Sequence, residues 1–327
     1  ARGDQALILR FIARILRSDL EQREIAETAV GVSARGMVET VTWSFLASAV
    51  AALFGGAKPE LALANPIAAD LDAMRPSILP NLVAAARRNA DRGLGDVSLF
   101  EVGPQYAGDQ PEDQRLVAAG VRAGLAAPRH WAAPAREVDA FDAKADALAA
   151  IAAAGGPAEQ LSAVAEAPDW YHPGRSGALK LGNQTLAWFG ELHPSVLAAL
   201  DMRGVVAGFE LFLDALPPTK ARPTKARPAL KVSALQPIER DFAFVLDASV
   251  PADAVVKAAK SADKALIVDV AVFDLFAGKG VGEGKKSLAI QVTLQPVERT
   301  LTDAEIDAAA ARIVAAVTKA TGGTLRS

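Results

Sequence analysis

Two histidines and a carboxylate lie in motifs that could bind a metal ion. His172 begins a His-Pro-Gly-Arg sequence, and Glu191 is separated by one residue from His193, which also precedes a proline. On a strand, Glu191 and His193 would share a face, so together with His172 they form a candidate site of two histidines and one carboxylate. Such a site would indicate a metal-dependent hydrolase. The opposing interpretation is that each imidazole bonds only to the backbone of its own turn.

A glycine- and lysine-rich loop, 277–286, suggests phosphate binding. Aligning Gly284 and Lys285 with the Gly-Lys pair of a nucleotide-binding loop puts Lys279 where the first glycine is required and Lys286 where Ser or Thr is required. The loop also joins two predicted strands, so it offers no helix N-terminus to a phosphate. We therefore expect a mobile, basic hairpin tip rather than a nucleotide site.

The elements around this loop follow a regular order. The predicted elements are, in order, strand Asp241–Asp247, a helix capped by Ser249 and ending near Ser261, strands Leu266–Phe273 and Ser287–Leu294, a helix that begins at the capping box Thr302–Glu305, and a short edge strand Thr324–Arg326. The order β-α-β-β-α-β predicts a ferredoxin-like domain over residues 229–327.

Residues 36–216 have a different pattern. Short strands and helices are interspersed, but the sequence lacks the regular strand–helix–strand alternation of a parallel sheet and the glycines of a dinucleotide-binding fold. The predicted elements are strands Glu39–Phe45, Val97–Val102 and Val205–Leu213, a helix Leu79–Asn89, and a hairpin of Ala178–Leu181 and Leu186–Phe189 around Gly182 and Asn183. The fold class predicted for the whole chain is α+β, with an antiparallel sheet in this domain.

Two further segments complete the organisation. Residues 1–35 carry apolar side chains at helical spacing, which predicts an amphipathic helical leader in need of a partner surface. Residues 217–228 repeat Thr-Lys-Ala-Arg-Pro twice, and the prolines allow neither a helix nor a strand ladder to continue. This segment is predicted to be an extended linker.

Composition excludes several classes of protein. The 327 residues include no Cys and only 3 His, so disulfides, thiolate catalysis and cysteine-ligated metals are excluded. A net charge of −3 gives the whole chain no attraction for nucleic acid. The sequence shows neither a membrane-spanning apolar run nor a signal peptide, so we expect a cytoplasmic protein with no membrane partner.

A set of short motifs occurs along the chain in a characteristic order. They are Gly36–Phe45, Asn65–Ile67, Met74–Ser77, Leu99–Gly103, His172–Ser176, Gly190–Pro194, Phe209–Leu211, Arg240–Ala243, Phe273–Phe276 and Lys286–Ala289. In this order the motifs resemble the C-terminal portion of the bacterial phenylalanyl-tRNA synthetase β subunit. The resemblance covers roughly residues 30–327.

The resemblance implies two domains with different roles. Residues 36–216 would be a catalytic-like domain with the antiparallel sheet of class II synthetases, and residues 229–327 a ferredoxin-fold anticodon-binding domain. The partners it implies are the α subunit, in a heterotetramer of two α and two β chains, and tRNA(Phe). ATP and Mg would serve the holoenzyme through the α subunit, so no cofactor and no metal is expected in this portion. The editing domain of the family has no counterpart in this sequence.

The resemblance also suggests that the first domain is not catalytic. An active class II subunit needs an arginine near the ATP phosphates, because the phosphoryl charge must be neutralised. In the matching strand of this chain, Gly208–Leu211, that place is taken by Leu211. We therefore expect no catalytic residue here, an inactive chain when isolated, and support of the α subunit through a dimer-type interface.

The anticodon site that the family implies falls on three residues of the second domain. Asp274 would read the first anticodon base, Phe276 would stack on it, and Arg326 would assist. Phe276 stands where the family often has Tyr, so the ring is kept and a hydroxyl is lost. The loop lysines would contact the RNA backbone: Lys279, Lys285 and Lys286. An alternative for Phe276 is an ordinary place in the sheet core.

Overall fold

A computed structural model describes residues 25–218 and 233–326, which form two compact units, each described here by itself. Of the first helix, α1, the structure describes residues 25–33. The remainder of the predicted helical leader, residues 1–24, lies outside the described residues. The same is true of the predicted linker from residue 219 onward.

The first unit is built on a seven-stranded sheet. All strands of the chain are numbered in sequence order, so the numbers also count two minor strand pairs that lie outside this sheet. The strands of the sheet are β1 (Val38–Glu39), β4 (Val97–Tyr106), β5 (Gln114–Ala123), β8 (Ser162–Val164), β9 (Tyr171–Leu181), β10 (Gln184–Leu192) and β11 (Val206–Phe212). Their spatial order is β1-β4-β5-β11-β10-β9-β8, and only the β1–β4 pair is parallel. The two minor pairs are β2 (Phe45–Leu46) with β3 (Ala73–Met74) and β6 (Leu125–Ala127) with β7 (Arg136–Glu137).

Helices cover both faces of this sheet. The longer ones are α3 (Leu79–Ala90) and α4 (Ala140–Ala153), and the short ones are α2 (Ser48–Ala52) and α5 (Pro194–Ala199). Alternate residues of β11 enter two different cores: Phe209 and Leu211 pack with α4, whereas Val206 and Phe212 pack with α3. All seven residues of β11 are buried. The centre of the sheet is thus inaccessible to water on either side.

The second unit has four antiparallel strands and two helices. Its elements are β12 (Ile238–Asp247), α6 (Ala252–Ser261), β13 (Ile267–Phe276), β14 (Lys285–Leu294), α7 (Asp303–Thr321) and β15 (Thr324–Leu325). The spatial order β13-β14-β12-β15 is that of a ferredoxin-like sheet, as the sequence predicts. One sheet face, carrying Phe242, Phe244 and Ile290, packs on the two helices and forms the core.

Most predicted elements are confirmed, and two are wrong in detail. The predicted strand Glu39–Phe45 is broken, because pairing stops after Glu39 and resumes only at Phe45. Ser249 does not cap α6: its hydroxyl bonds to Asp247 at 2.6 Å, and Pro251 occupies the N-cap position. By contrast, the capping box at Thr302 and Glu305 is formed, and left-handed Gly322 ends the last helix.

Within the described residues, no helix combines the length and the apolar character needed to cross a membrane.

Candidate functional site

The second unit leaves one face of its sheet without a covering helix. The strand registers arrange this open face in rows that run across the sheet. One row contains Asp274, Ala289 and Ala243 and continues to Arg326, whose backbone N–H donates to the Ala243 carbonyl at 2.7 Å. The neighbouring row consists of Phe276, Ser287, Val245 and Thr324. The three predicted anticodon residues therefore share one face, around a floor of small side chains.

A β-bulge at Phe273 controls which side chains of β13 reach this face. Val272 pairs with Ile290 on the helix side, but the next pair joins Asp274 to Ala289 on the open side. The extra residue between the two pairs reverses the alternation of the strand. Without it, Asp274 and Phe276 would point toward the apolar core, where an unpaired carboxylate is strongly unfavourable.

Phe276 belongs to the open face and not to the core. Its side chain is 42% exposed, and its pairing with Ser287 sets it opposite to Leu275, which pairs with core residue Leu288. The ring lies against Gly278, where an added Cβ would come within 3.1 Å of it. A glycine at that position therefore lets the loop pass beneath the ring while the outer part of the ring faces solvent.

Arg326 extends along the floor toward Phe276. Its guanidinium Nη1 lies 3.5 Å from the Ser287 hydroxyl, a long contact, and Ser287 is the cross-strand partner of Phe276. Asp274 is exposed and has no hydrogen-bond or ion-pair partner among the described residues. The sequence reasoning overlooked Ser287, because a serine inside an apolar strand carries no signal until the register shows what lies beside it.

The three loop lysines are placed differently from one another. Lys279 is exposed on the loop that joins β13 to β14, and Lys285 is exposed at the first residue of β14, where it pairs with Asp247. Lys286 pairs with core residue Leu246, and its Nζ donates to the Ala248 carbonyl at 2.9 Å. It therefore holds the turn after β12 and lies on the helix side of the sheet, so its predicted contact with an RNA backbone has the weakest geometric basis of the three.

The candidate metal residues are engaged locally. His172 Nδ1 accepts from the Gly174 backbone N–H at 3.0 Å, and His193 Nδ1 accepts from the Ser195 backbone N–H at 3.2 Å. Glu191 is ion-paired with Arg175 at 2.5 Å. In the part of the chain that the structure describes, no group of three or more candidate ligands is arranged to hold a metal ion. This geometry gives no support to a hydrolase.

In the first unit, a buried ion pair fixes the segment before α3 to the sheet. Arg75 Nη1 donates to Glu101 at 2.8 Å, and both side chains are nearly inaccessible to solvent. Arg75 Nε donates to the Pro104 carbonyl at 2.8 Å, and the Thr42 hydroxyl donates to Glu101 at 2.6 Å. A desolvated pair is tolerated when its remaining polar atoms are satisfied, as they are here. The pair joins residues 26 positions apart.

A second carboxylate, Glu210, is buried in the middle of β11. It accepts hydrogen bonds from the Ser77 hydroxyl at 2.6 Å, and from the Trp170 indole and the Tyr171 hydroxyl at 3.2 Å each. Burial raises the pKa of the Glu210 carboxyl above its ordinary value of 4.5, although the three hydrogen bonds act in the opposite direction. Burial also raises the pKa of Tyr171.

Next along the strand, Leu211 faces the other core. It is fully buried among the apolar residues that pack beneath α4. An arginine at this position would be shielded from water among apolar side chains, which is unfavourable for a charged group without an acidic partner.

Comparisons with known proteins identify both units. Residues 14–213 match the family described as phenylalanyl tRNA synthetase beta chain CLM domain. Residues 233–326 match the ferredoxin-fold anticodon binding domain. The two matches agree with an α+β chain whose second unit is ferredoxin-like.

Two similar proteins are both described as phenylalanine–tRNA ligase beta subunits. The chain is 67% identical over 295 residues to a phenylalanine–tRNA ligase beta subunit of Paramagnetospirillum magneticum, a match that covers 90% of this chain and 37% of the relative. It is 60% identical over 306 residues to the subunit of the same name from Rhodospirillum rubrum, with 94% of this chain and 38% of the relative covered. The chain thus spans less than two fifths of the length of these relatives.

A solved structure of a pyrrolysyl tRNA synthetase from Desulfitobacterium hafniense is also similar. The match has a TM-score of 0.45 and 19% sequence identity, and it covers 65% of this chain and 72% of the other.

Glu210 makes the stability of the first unit depend on pH in a particular direction. Because its pKa is raised in the folded state, its stabilising contribution is fully present below pH 4.5 and is lost as the pH rises above that value. We expect the free energy of unfolding to fall by up to about 1.4 kcal/mol per pH unit from this group alone. Urea unfolding of the wild-type chain and of Glu210→Gln across this window tests it: the variant should lack that part of the slope, and parallel curves would contradict the assignment.

Proposed function

Because the chain belongs to the phenylalanyl-tRNA synthetase β-chain family, we propose that it is a non-catalytic portion of the β subunit with two tasks. The first unit supports the catalytic α subunit, and the second binds the anticodon of tRNA(Phe) during ATP-dependent aminoacylation. The observation that carries the second task is the open face of the ferredoxin-like sheet, with its unpaired carboxylate and its exposed aromatic ring.

The open face suits one base of a single-stranded RNA. Small residues at its centre, Ala243, Ala289 and Ser287, let a planar base approach the sheet closely. The Phe276 ring offers a stacking surface, and the Asp274 carboxylate can accept two hydrogen bonds from the N1 and N2 edge of a guanine. In this arrangement stacking supplies affinity and the carboxylate supplies the choice of base.

Charge along the open face favours one direction of approach. Beyond the row that contains Asp274, the face carries the acidic residues Asp241, Asp269 and Glu239. The cations Lys285 and Lys279 lie at the opposite end, past Phe276, and are accompanied there by Asp247 and Glu283. Phosphates are repelled more strongly from the end that carries only carboxylates than from the end where lysines balance them, so we place the RNA backbone over the loop 277–284.

The assembly role rests on apolar side chains exposed in the first unit. Val38, Val41 and Trp43 are all exposed on the segment that follows α1, with Trp43 at 66%. Asn81 of α3 donates to the Trp43 carbonyl at 3.1 Å, and Thr42 is bonded to Glu101, so the segment is held firmly on the unit. A rigid segment that presents apolar side chains is typical of a protein interface. We assign it to the α subunit, in a heterotetramer of two α and two β chains.

ATP and Mg act on the α subunit in this proposal. The sheet residues of this chain do not fit ATP, because Leu211 is uncharged and fully buried beneath α4. No step of adenylate formation is therefore assigned to residues of this chain, and its place of action is the cytoplasm.

Loss of the Phe276 ring should weaken tRNA binding without unfolding the unit. We expect Phe276→Ala to reduce the affinity for tRNA(Phe) by about 1–3 kcal/mol, since stacking on a base is lost. The matched control is Leu275→Ala, because Leu275 is 60% exposed on the other side of the same strand. Filter binding and thermal melting are measured on both. A loss of melting temperature with unchanged tRNA affinity would return Phe276 to the core interpretation.

Asp274→Asn should change base selectivity rather than overall affinity. With tRNA(Phe) variants that carry guanine or adenine at the first anticodon position, we expect the wild-type preference for guanine to shrink by about 1–3 kcal/mol. Asp269→Asn is the control, because it removes a carboxylate from the same face and strand at a distant row. Equal changes for both tRNAs in Asp274→Asn would show a general electrostatic effect and refute base reading.

Association with the α subunit should depend on Trp43. We expect Trp43→Ser to weaken the complex by about 2 kcal/mol or more, as an aromatic anchor at an interface does. Trp131→Ser is matched to it, because Trp131 is also exposed but lies in the loop between β6 and β7. Light scattering of each variant mixed with α measures the dissociation constant. If both tryptophans are equally dispensable, the interface lies elsewhere.

A further inference from the structure

An aromatic-lined cavity lies in the first unit, away from the α4 face of the sheet. Its volume is about 250 Å³, which is room for roughly eight waters. It is lined by residues of the segment that follows α2, of the β4–β5 hairpin, of β10 and β11, and by Trp170 just before β9. Neither the proposed anticodon face nor the proposed α interface uses this cavity.

One wall of the cavity is a continuous row of aromatic rings. Phe54 and Trp170 have ring centroids 5.9 Å apart, Trp170 and Trp188 are 5.8 Å apart edge to face, and Trp188 and Phe212 are 4.8 Å apart edge to face. All four line the cavity. Because each ring is held by its neighbour, the wall is preformed and offers flat apolar surface to a planar molecule.

Gln105, another lining residue, carries a buried polar atom without a partner among the described residues. Gln105 of β4 lines the cavity and is only 7% exposed, and its Oε1 has no hydrogen-bond partner among the described residues. A buried acceptor left unpaired costs about 1–3 kcal/mol. The Oε1 atom itself is inaccessible to solvent, so a ligand that donates an N–H or O–H to it removes this cost only after the Gln105 side chain rotates toward the cavity.

The rim of the cavity is positively charged. Lys58 and Arg115 line it, and no Asp or Glu is among the lining residues. Lys58 Nζ donates to the Ala107 carbonyl at 3.0 Å, which leaves its charge uncompensated. Arg115 is exposed on β5 opposite Gln105 and has no carboxylate partner in the described part of the chain. The rim therefore favours an anion.

From these three features we infer that the cavity binds a small, planar aromatic molecule that carries a hydrogen-bond donor and an anionic group. The ring packs on Trp170 and Trp188, the donor bonds to Gln105 Oε1 after rotation of that side chain, and the anion pairs with Arg115 and Lys58. A free aromatic amino acid and a nucleoside monophosphate both have this chemistry. Binding here needs neither tRNA nor the α subunit.

The test is titration calorimetry of the full 327-residue chain with two probes, L-tyrosine up to about 2 mM, which is near its solubility limit, and adenosine 5′-monophosphate up to about 10 mM. Two variants address the polar contacts: Gln105→Leu removes the acceptor, and Arg115→Gln removes the cation. The control is Arg88→Gln, an exposed arginine on α3 outside the cavity. Because Gln105→Leu replaces an unpaired buried group with an apolar one, we expect it to melt no lower than the wild type.

We expect at least one probe to bind, and each cavity variant to weaken that binding about tenfold while Arg88→Gln leaves it unchanged. Binding of L-tyrosine alone identifies an amino acid as the source of the ligand chemistry, and binding of adenosine 5′-monophosphate alone identifies a nucleotide. Absence of binding by both probes overturns the inference. So does binding that Arg115→Gln leaves at full strength, and this second criterion holds even if Gln105→Leu fails to fold.

Discussion

Covering both faces of the seven-stranded sheet removes water from every side chain at its centre, so each carboxylate there needs protein partners. Glu101 receives Arg75 and Thr42, and Glu210 receives Ser77 and two aromatic donors. A third, Asp146 of α4, is held by Arg35 and Arg122 at 2.5 Å each. These partners come from distant parts of the chain. The need to satisfy buried charge thus fixes the segment from α1 to α3 onto the sheet and makes its exposed apolar side chains a rigid surface.

In the second unit one face of the sheet is open to water, so carboxylates on that face need no protein partner. Its helices cover only the side that carries Phe244 and Ile290, and the other side has small residues at the centre and charged residues toward the ends. The bulge at Phe273 moves Asp274 from the covered side to the open side. A single extra residue in β13 therefore places a carboxylate and an aromatic ring on the open face of the sheet instead of in the core.

Local sequence signals were sufficient for much of the fold. The hairpin around Gly182, the helix over 79–90 and the capping box at Thr302 depend on neighbours in the sequence, and the structure confirms them. The order of elements was sufficient to predict the ferredoxin-like unit. Pairings across long distances carried no local signal: Ser77 and Glu210 are 133 residues apart. Neither the bulge nor the position of Ser287 beside Phe276 could be found without the strand register.

The candidate site residues Asp274, Phe276 and Arg326 came from the resemblance to a family, and alternation alone would have misplaced two of them. Counting by twos from Val270 puts Asp274 and Phe276 on the core side. Simple strand periodicity therefore favours the core interpretation of Phe276, and the bulge reverses it. The metal site was a different case, because the spacing of Glu191 and His193 was compatible with ligation and only the contacts showed each group engaged elsewhere.

In the described part of the chain, the buried carboxylates have protein partners, and two polar groups without partners lie at the proposed sites. Glu101, Glu210 and Asp146 are buried and fully partnered, so their role is complete within the protein. Among the described residues, Asp274 has no protein partner, and the same is true of the buried atoms Gln105 Oε1, Asn81 Oδ1 and Thr28 Oγ1. An unpaired buried acceptor lowers stability, and a hydrophobic residue at position 105 would avoid the loss. Asp274 is exposed to water and carries no such cost, whereas Gln105 Oε1 is shielded from water and gains a partner only when a ligand binds and the side chain rotates toward it.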